Sequence, residues 1–133
     1  MMSFLEAVIN YIQSAGIATF GTDMFEGDFP THAPETCLIV LQGVGEEPDQ
    51  YLPIRDPSIQ VITRGPAFPD AYDLMDKVFK LFHGDPPPKH NYQVGDFYAL
   101  RSRAYQEPGD IGRDEAGRKM LSCNFGFKVR GGD

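Results

Sequence analysis

The apolar positions of the chain fall into two helical stripes and four extended runs. Leu5, Val8, Ile9 and Ile12 recur at the spacing of one helix face; Ser3 and Glu6 stand at capping-box spacing ahead of them, and Gly16 is placed to end the helix. This predicts a first helix over residues 3–15. Its polar face carries only Glu6, Asn10 and Gln13, a weakly charged surface suited to a helix touched on both sides. A second stripe, Ala71, Leu74, Met75, Val78, Leu81 and Phe82, is opened by Pro69 and Asp70 and closed by Gly84. Tyr72 and Phe79 lie off that stripe, seven residues apart, so this helix is apolar on more than its core face. Residues 36–43 (TCLIVLQG) are nearly all apolar, as in a strand covered on both faces, and residues 58–65 (SIQVITRG) form another strand candidate. Over residues 119–130, Leu121, Cys123, Phe125, Phe127 and Val129 alternate with Ser122, Asn124, Gly126, Lys128 and Arg130. That period of two marks a half-buried strand. Within residues 96–108, Tyr98, Leu100, Ser102 and Ala104 alternate with Phe97, Ala99, Arg101 and Arg103. The two runs predict the arms of a hairpin, with the acidic stretch from residue 109 to 118 as its bend. The expected fold is α+β: a mixed or antiparallel sheet with a C-terminal β-hairpin, flanked by two main α-helices.

Between these elements the pattern lapses. Residues 17–35 scatter Phe20, Met24, Phe25 and Phe29 among glycine, proline and acids, which suits either a loop folded back on the core or an arm docked on another chain. Residues 44–57 are a second irregular stretch. Loops beyond about 12–15 residues are uncommon in compact domains and tend to be functional or disordered. Two of them, bearing apolar residues, hint at a chain made to be joined to others. Residues 85–91 (DPPPKHN) predict an extended, rod-like connection.

The 133 residues suit one domain, 1–133, and the formal net charge of −7, without a run of lysine or arginine, disfavours wholesale binding to a nucleic-acid backbone. Cys37 and Cys123 each sit in an apolar run and are expected to be reduced and buried. The first sixteen residues lack both a basic leader and a long apolar core, so neither a signal peptide nor a membrane span is expected, and the protein is read as cytosolic.

Asp110, Gly112 and Asp114 take the first, third and fifth places of a calcium loop, but Glu115 stands where glycine is required and Leu121 where a bidentate carboxylate is required. The same segment lacks the spacing of a phosphate loop. A carboxylate pair of Asp110 with Asp114 or Glu115 would need an apolar pocket to raise one pKa, and a solvated bend supplies none. Asp114 can instead close an Asx turn, with Gly117 at positive φ. His32, His83 and His90 lack metal-ligand spacing, and the serines sit in no nucleophile elbow. No catalytic residue, cofactor or metal is expected, although a small carboxylate-based hydrolase or ligand-binding domain, or a monomeric adaptor pairing strand edges, stays open as the competing class.

More specific are four stretches in order: DMFEGDFP, CLIVLQGVGEEP, IQVITRGPAFPDAYDLMDKVFKLFHG and ALRSRAYQEPGDIGRDEAGRKMLSCNFGFKV. A strand ending in Arg64-Gly65 leads into a helix at Asp70-Ala71-Tyr72; Gln106-Glu107-Pro108 is followed by Gly112-Arg113-Asp114 and Gly117-Arg118, with Asn124-Phe125 in the last strand. Over residues 23–129 the chain resembles the tail terminator, or tail-to-head joining, proteins of long-tailed bacteriophages, often labelled minor capsid proteins. The resemblance implies a hexameric ring that ends the tail tube, with the tube protein and a head-completion or connector protein as partners. DNA would only pass through the channel, and the site would be the neck of the virion, assembled in the host cytoplasm. A head-completion or tail-tube subunit is the alternative within the same class. A ring needs two different sticky surfaces on each copy. Phe25, Phe29, Tyr72 and Phe79 are the candidates for neighbour contacts, with Arg64 expected to pair with an acid across the joint. Glu46, Glu47, Asp49, Asp110, Asp114 and Glu115 are the candidates for an acidic channel lining that repels DNA.

Overall fold

The computed structural model describes residues 3–43, 54–84 and 86–131. Helix α1 spans Phe4–Ser14. The Ser3 hydroxyl accepts the Glu6 N–H at 3.1 Å and donates to the Glu6 carboxylate at 3.2 Å, and Gly16 turns away at φ 77°. Helix α2 spans Phe68–His83. Ala67 has no side chain to cap it; the Asp70 carboxylate accepts the Ala67 N–H at 3.1 Å instead.

Among the described residues there are eight strands: β1 Met24–Glu26, β2 Cys37–Gln42, β3 Ile54–Arg55, β4 Ser58–Gly65, β5 Lys89–Val94, β6 Phe97–Ala104, β7 Gly109–Arg113 and β8 Lys119–Gly131. They form one sheet in the order β1-β2-β4-β8-β6-β5, with β3 and β7 also paired to β8. β1 and β2 run parallel and the other strand pairs among the described residues antiparallel, so the sheet is mixed and the class is α+β. The 13-residue β8 is the spine: β4 and β3 line one of its edges, β6 and β7 the other.

Several sequence expectations change here. The hairpin arms pair as expected, but residues 109–113 are not part of the bend; they pair with Lys119–Ser122 as β7, and the bend shrinks to residues 114–118. The proline segment is no rod. Residues 86–88 bend, the Pro87-Pro88 bond is cis, and the chain enters β5 at once. Extended polyproline would carry the chain away from the helix end, whereas here Lys89 lies against Gly84, where a Cβ would come within 2.9 Å of the Lys89 backbone. The irregular stretches also contain short strands, β1 in the first and β3 in the second.

Both helices cover one face of the sheet. Ala7, Val8, Ile9 and Ile12 of α1 and Ala71, Met75, Val78 and Phe82 of α2 pack on Leu38, Val40, Val61, Leu121, Cys123 and Phe125. Leu74 and Leu81 sit half-buried at the margin of the α2 stripe. Polar bonds hold the layers in register: Thr63 Oγ1 donates to the Ala71 carbonyl at 2.9 Å, Ser102 Oγ to the Phe82 carbonyl at 2.6 Å, and the Ala104 N–H to His83 Nδ1 at 3.0 Å. The alternation in β6 changes phase at a bulge between Ala99 and Arg101. Phe97 and Ala99 face the helices before the bulge, and Ser102 and Ala104 face them after it, while Leu100 is absorbed in the irregularity.

Candidate functional site

The acidic bend is a tightly bonded turn. The Asp114 carboxylate accepts the N–H groups of Ala116 at 3.0 Å and Arg118 at 2.9 Å, and the Arg118 guanidinium at 2.8 Å. Arg113 Nη1 donates to the Gly117 carbonyl at 2.7 Å, and Gly117 takes φ 80°. One step back, Asp110 accepts the Gly112 N–H at 2.8 Å and meets Lys119 Nζ at 2.5 Å. The Lys119 ammonium and the Gly112 N–H hold the Asp110 carboxyl below its ordinary pKa. At Asp114, partial burial pushes the other way, but the bonds from Arg118 and Ala116 outweigh it and the carboxyl is again lowered. Both are therefore fixed as acceptors at neutral pH, the opposite of what a general acid needs. Glu115 is exposed. Three acids and three cations (Arg113, Arg118 and Lys119) leave the corner close to neutral. Among the described residues no group of three or more His, Cys, Asp or Glu is placed to hold a metal ion, and no helix is long and apolar enough to cross a membrane.

The thiols are buried and free. Burial pushes the Cys37 thiol up, only partly countered by the Arg64 charge, and pushes Cys123 up to about 11.

The candidate contact residues divide by burial. Phe25 is buried at the edge of a small second core on the far side of the sheet, with Cys37 and Ile39 and with Phe29, Ala33, Leu41 and Ile62 packed against it. The loop of residues 27–36 closes over this cluster, and Arg64 fastens it. Its guanidinium donates to the Pro34 carbonyl at 2.9 Å and the Glu35 carbonyl at 3.4 Å, lies 4.4 Å from the Phe29 ring centre, and stands 3.8 Å from Asp114. Arg64 was expected to find an acid across a joint between copies; with 4% exposure, its guanidinium is already engaged within the chain. The structure thus brings Phe25, Phe29, Arg64 and Asp114 together, and leaves Tyr72 and Phe79 apart from them on α2.

Phe79 is half-buried, 4.8 Å from the His83 ring and 6.5 Å from Phe125. Tyr72 is exposed and stacks on Phe68 with centroids 5.5 Å apart; the two are 42% and 46% exposed. Phe68 was missed in the sequence, although its spacing of four from Tyr72 at the start of a helix was there to be read. Among the described residues Phe20, Tyr105 and Ile111 are the other large exposed apolar side chains, and their sites in turns and on an edge gave no periodic signal. Glu46, Glu47 and Asp49 lie outside the described residues.

Residues 11–130 match the sequence profile of a family described as bacteriophage tail terminator protein, a span that takes in all eight strands and α2. Comparison with curated proteins returns no match.

Proposed function

Because the chain belongs to the bacteriophage tail terminator family, and is thus a structural component of the virion tail, we propose that it closes the tail tube as a hexameric ring, stops tube polymerisation and presents the docking surface for the head connector. In this reading it assembles in the host cytoplasm, works without catalysis and lets DNA pass through its channel. The family match along nearly the whole described fold is the observation that carries the reading. The surface is consistent with a part built to be joined: the Phe68–Tyr72 stack leaves two aromatic rings half in water at the start of α2. Phe25, Phe29, Arg64 and Phe79 contribute to a joint from behind in this account, by holding the shape of the 27–36 loop and of α2. A repulsive channel lining rests on Glu115 with Glu46, Glu47 and Asp49, since Asp110 and Asp114 are neutralised by their own partners.

Electron microscopy of tails made with and without the protein tests the role. Tubes of uncontrolled length in its absence are the expected result; tails of normal length that join heads normally would overturn it.

A further inference from the structure

Residues 1–54 contain eight acids and no lysine or arginine; all twelve of those cations, and the other eleven acids, lie from Arg55 onward. Five of those eight acids, Glu6, Asp23, Glu26, Asp28 and Glu35, are among the described residues; Glu26 lies on β1, one terminal strand of the sheet, while Arg101 and Arg103 lie on β6, beside β5 at the other end. At the β1 end Phe20, Phe25, Pro30 and His32 line an apolar hollow with Glu26 and Asp28 on its rim. Glu6 of α1 faces a neighbouring hollow with Glu26 and Phe20. Phe20 is 51% exposed, and Glu26 and Asp28 are exposed and form no ion pair among the described residues.

The other end is basic. On the sheet face turned away from the helices, Arg101 lies directly across from Lys128, and Arg103 and Arg130 share that face. Like charges set opposite each other in a ladder repel. Among the described residues Asp56, 3.5 Å from Lys128, is the carboxylate within ion-pair reach of this group. Two of the arginines are propped on rings: Arg130 lies over Tyr98 and Arg103 over Tyr105, with ring centres 5.1 Å and 5.2 Å away. The Tyr105 ring in turn lies over Gly126, where any side chain would collide with it. The result is a shallow concavity floored by Gly126 and walled by Arg101, Arg103, Tyr105, Lys128 and Asp56.

An acidic edge around an apolar centre and a basic face with aromatic props are complementary surfaces carried by one chain. Copies placed head to tail bring unlike charges together, whereas pairing like face with like face opposes them. We propose that the β1 edge of one copy, through Glu26, Asp28 and Phe20, docks on the outer face of β6 and β8 of the next copy, against Arg101, Arg103, Lys128 and Arg130. This rests on the ring reading above and names the joint that repeats around it. A second copy is favoured over nucleic acid because the same chain carries the complement of its own basic face.

Two double variants test it: Arg101→Glu with Arg103→Glu, and Glu26→Lys with Asp28→Lys. All four side chains are exposed, so both variants should fold, which circular dichroism checks. Association is followed by sedimentation of the free protein and by electron microscopy of cognate tails made without it. Each variant alone should associate at least about 100-fold more weakly than wild type. An equimolar mixture should recover assembly, because alternating copies restore unlike charges at every joint. Added salt should weaken wild-type association. Wild-type protein that neither associates nor occupies tail ends would overturn the ring reading itself. Wild-type protein that assembles while the variants assemble equally well, or a mixture that fails to recover, would overturn this joint alone. Duplex DNA retained by wild type and lost by the arginine variant, with assembly unchanged, would reassign the face to nucleic acid and overturn it equally.

Discussion

Replacing Arg64 by methionine separates a role inside the chain from one between copies. Methionine keeps most of the apolar stem and removes the guanidinium. The bond to the Pro34 carbonyl at 2.9 Å is charge-assisted and contributes about 1.5–3 kcal/mol. The contact with the Phe29 ring at 4.4 Å adds about 0.5–2 kcal/mol. The longer approach to Glu35, 3.4 Å, and the 3.8 Å approach to Asp114 add little. Against these stands relief from burying a charge that is only 4% exposed, while the released Pro34 and Glu35 carbonyls can turn to water. The net expected loss is about 2 kcal/mol, from the sum of these opposed effects. With a urea dependence of about 1–3 kcal/mol per molar, the unfolding midpoint should fall by about 1 M. The chain has six tyrosines and no tryptophan, so tyrosine fluorescence and circular dichroism are the probes. A glutamate-specific protease should cut faster after Glu35, because the loop that Arg64 fastens is released. An unchanged midpoint together with lost assembly would refute this account and return Arg64 to the joint between copies.

Phe82 is fully buried against Tyr11, Phe125 and Phe127, and Phe82→Ala should cost about 3–5 kcal/mol, measurable by calorimetry, with Phe82→Leu costing less. Asp110 and Asp114 have lowered pKa values, so their contribution to stability is complete above the ordinary carboxylate value near pH 4 and is lost as pH falls through their folded values. Urea titrations from pH 6 to pH 2 should show that Asp110→Asn with Asp114→Asn flattens this acid limb. Cys37 and Cys123, both buried and with raised pKa values, should resist iodoacetamide at pH 8 in the folded protein and react once it is unfolded in urea.

The elements legible in the sequence are those whose signal is local. Ser3, Glu6 and Gly16 bracket α1 within a few residues of the helix they delimit, and β8 announces itself through five inward apolar residues at a period of two. What escaped is set by distant pairing. β3 and β7 are two and five residues long, largely polar or glycine-bearing, and exist because β8 offers them an edge. β1 is held by parallel pairing to β2, which no local pattern reports. The candidate residues follow the same rule. Arg64 looked available because its carbonyl partners are 29 and 30 positions away in sequence. The alternation of Arg101 and Arg103 was visible, but that the 27–36 loop packs on Phe25, Cys37 and Ile39 at the other end of the sheet rests on contacts that no local pattern reports.

The central place of β8 bears on how a cell makes this subunit. Strands β4 and β6 meet only through it: β4 can pair with β2, and β6 with β5, as soon as they are made, but each keeps one edge open until β8 leaves the ribosome. Until then each offers one bare hydrogen-bonding edge, the kind of surface that attracts other nascent chains. A chain cut short before β8 is therefore left with two halves of a sheet and nothing to join them.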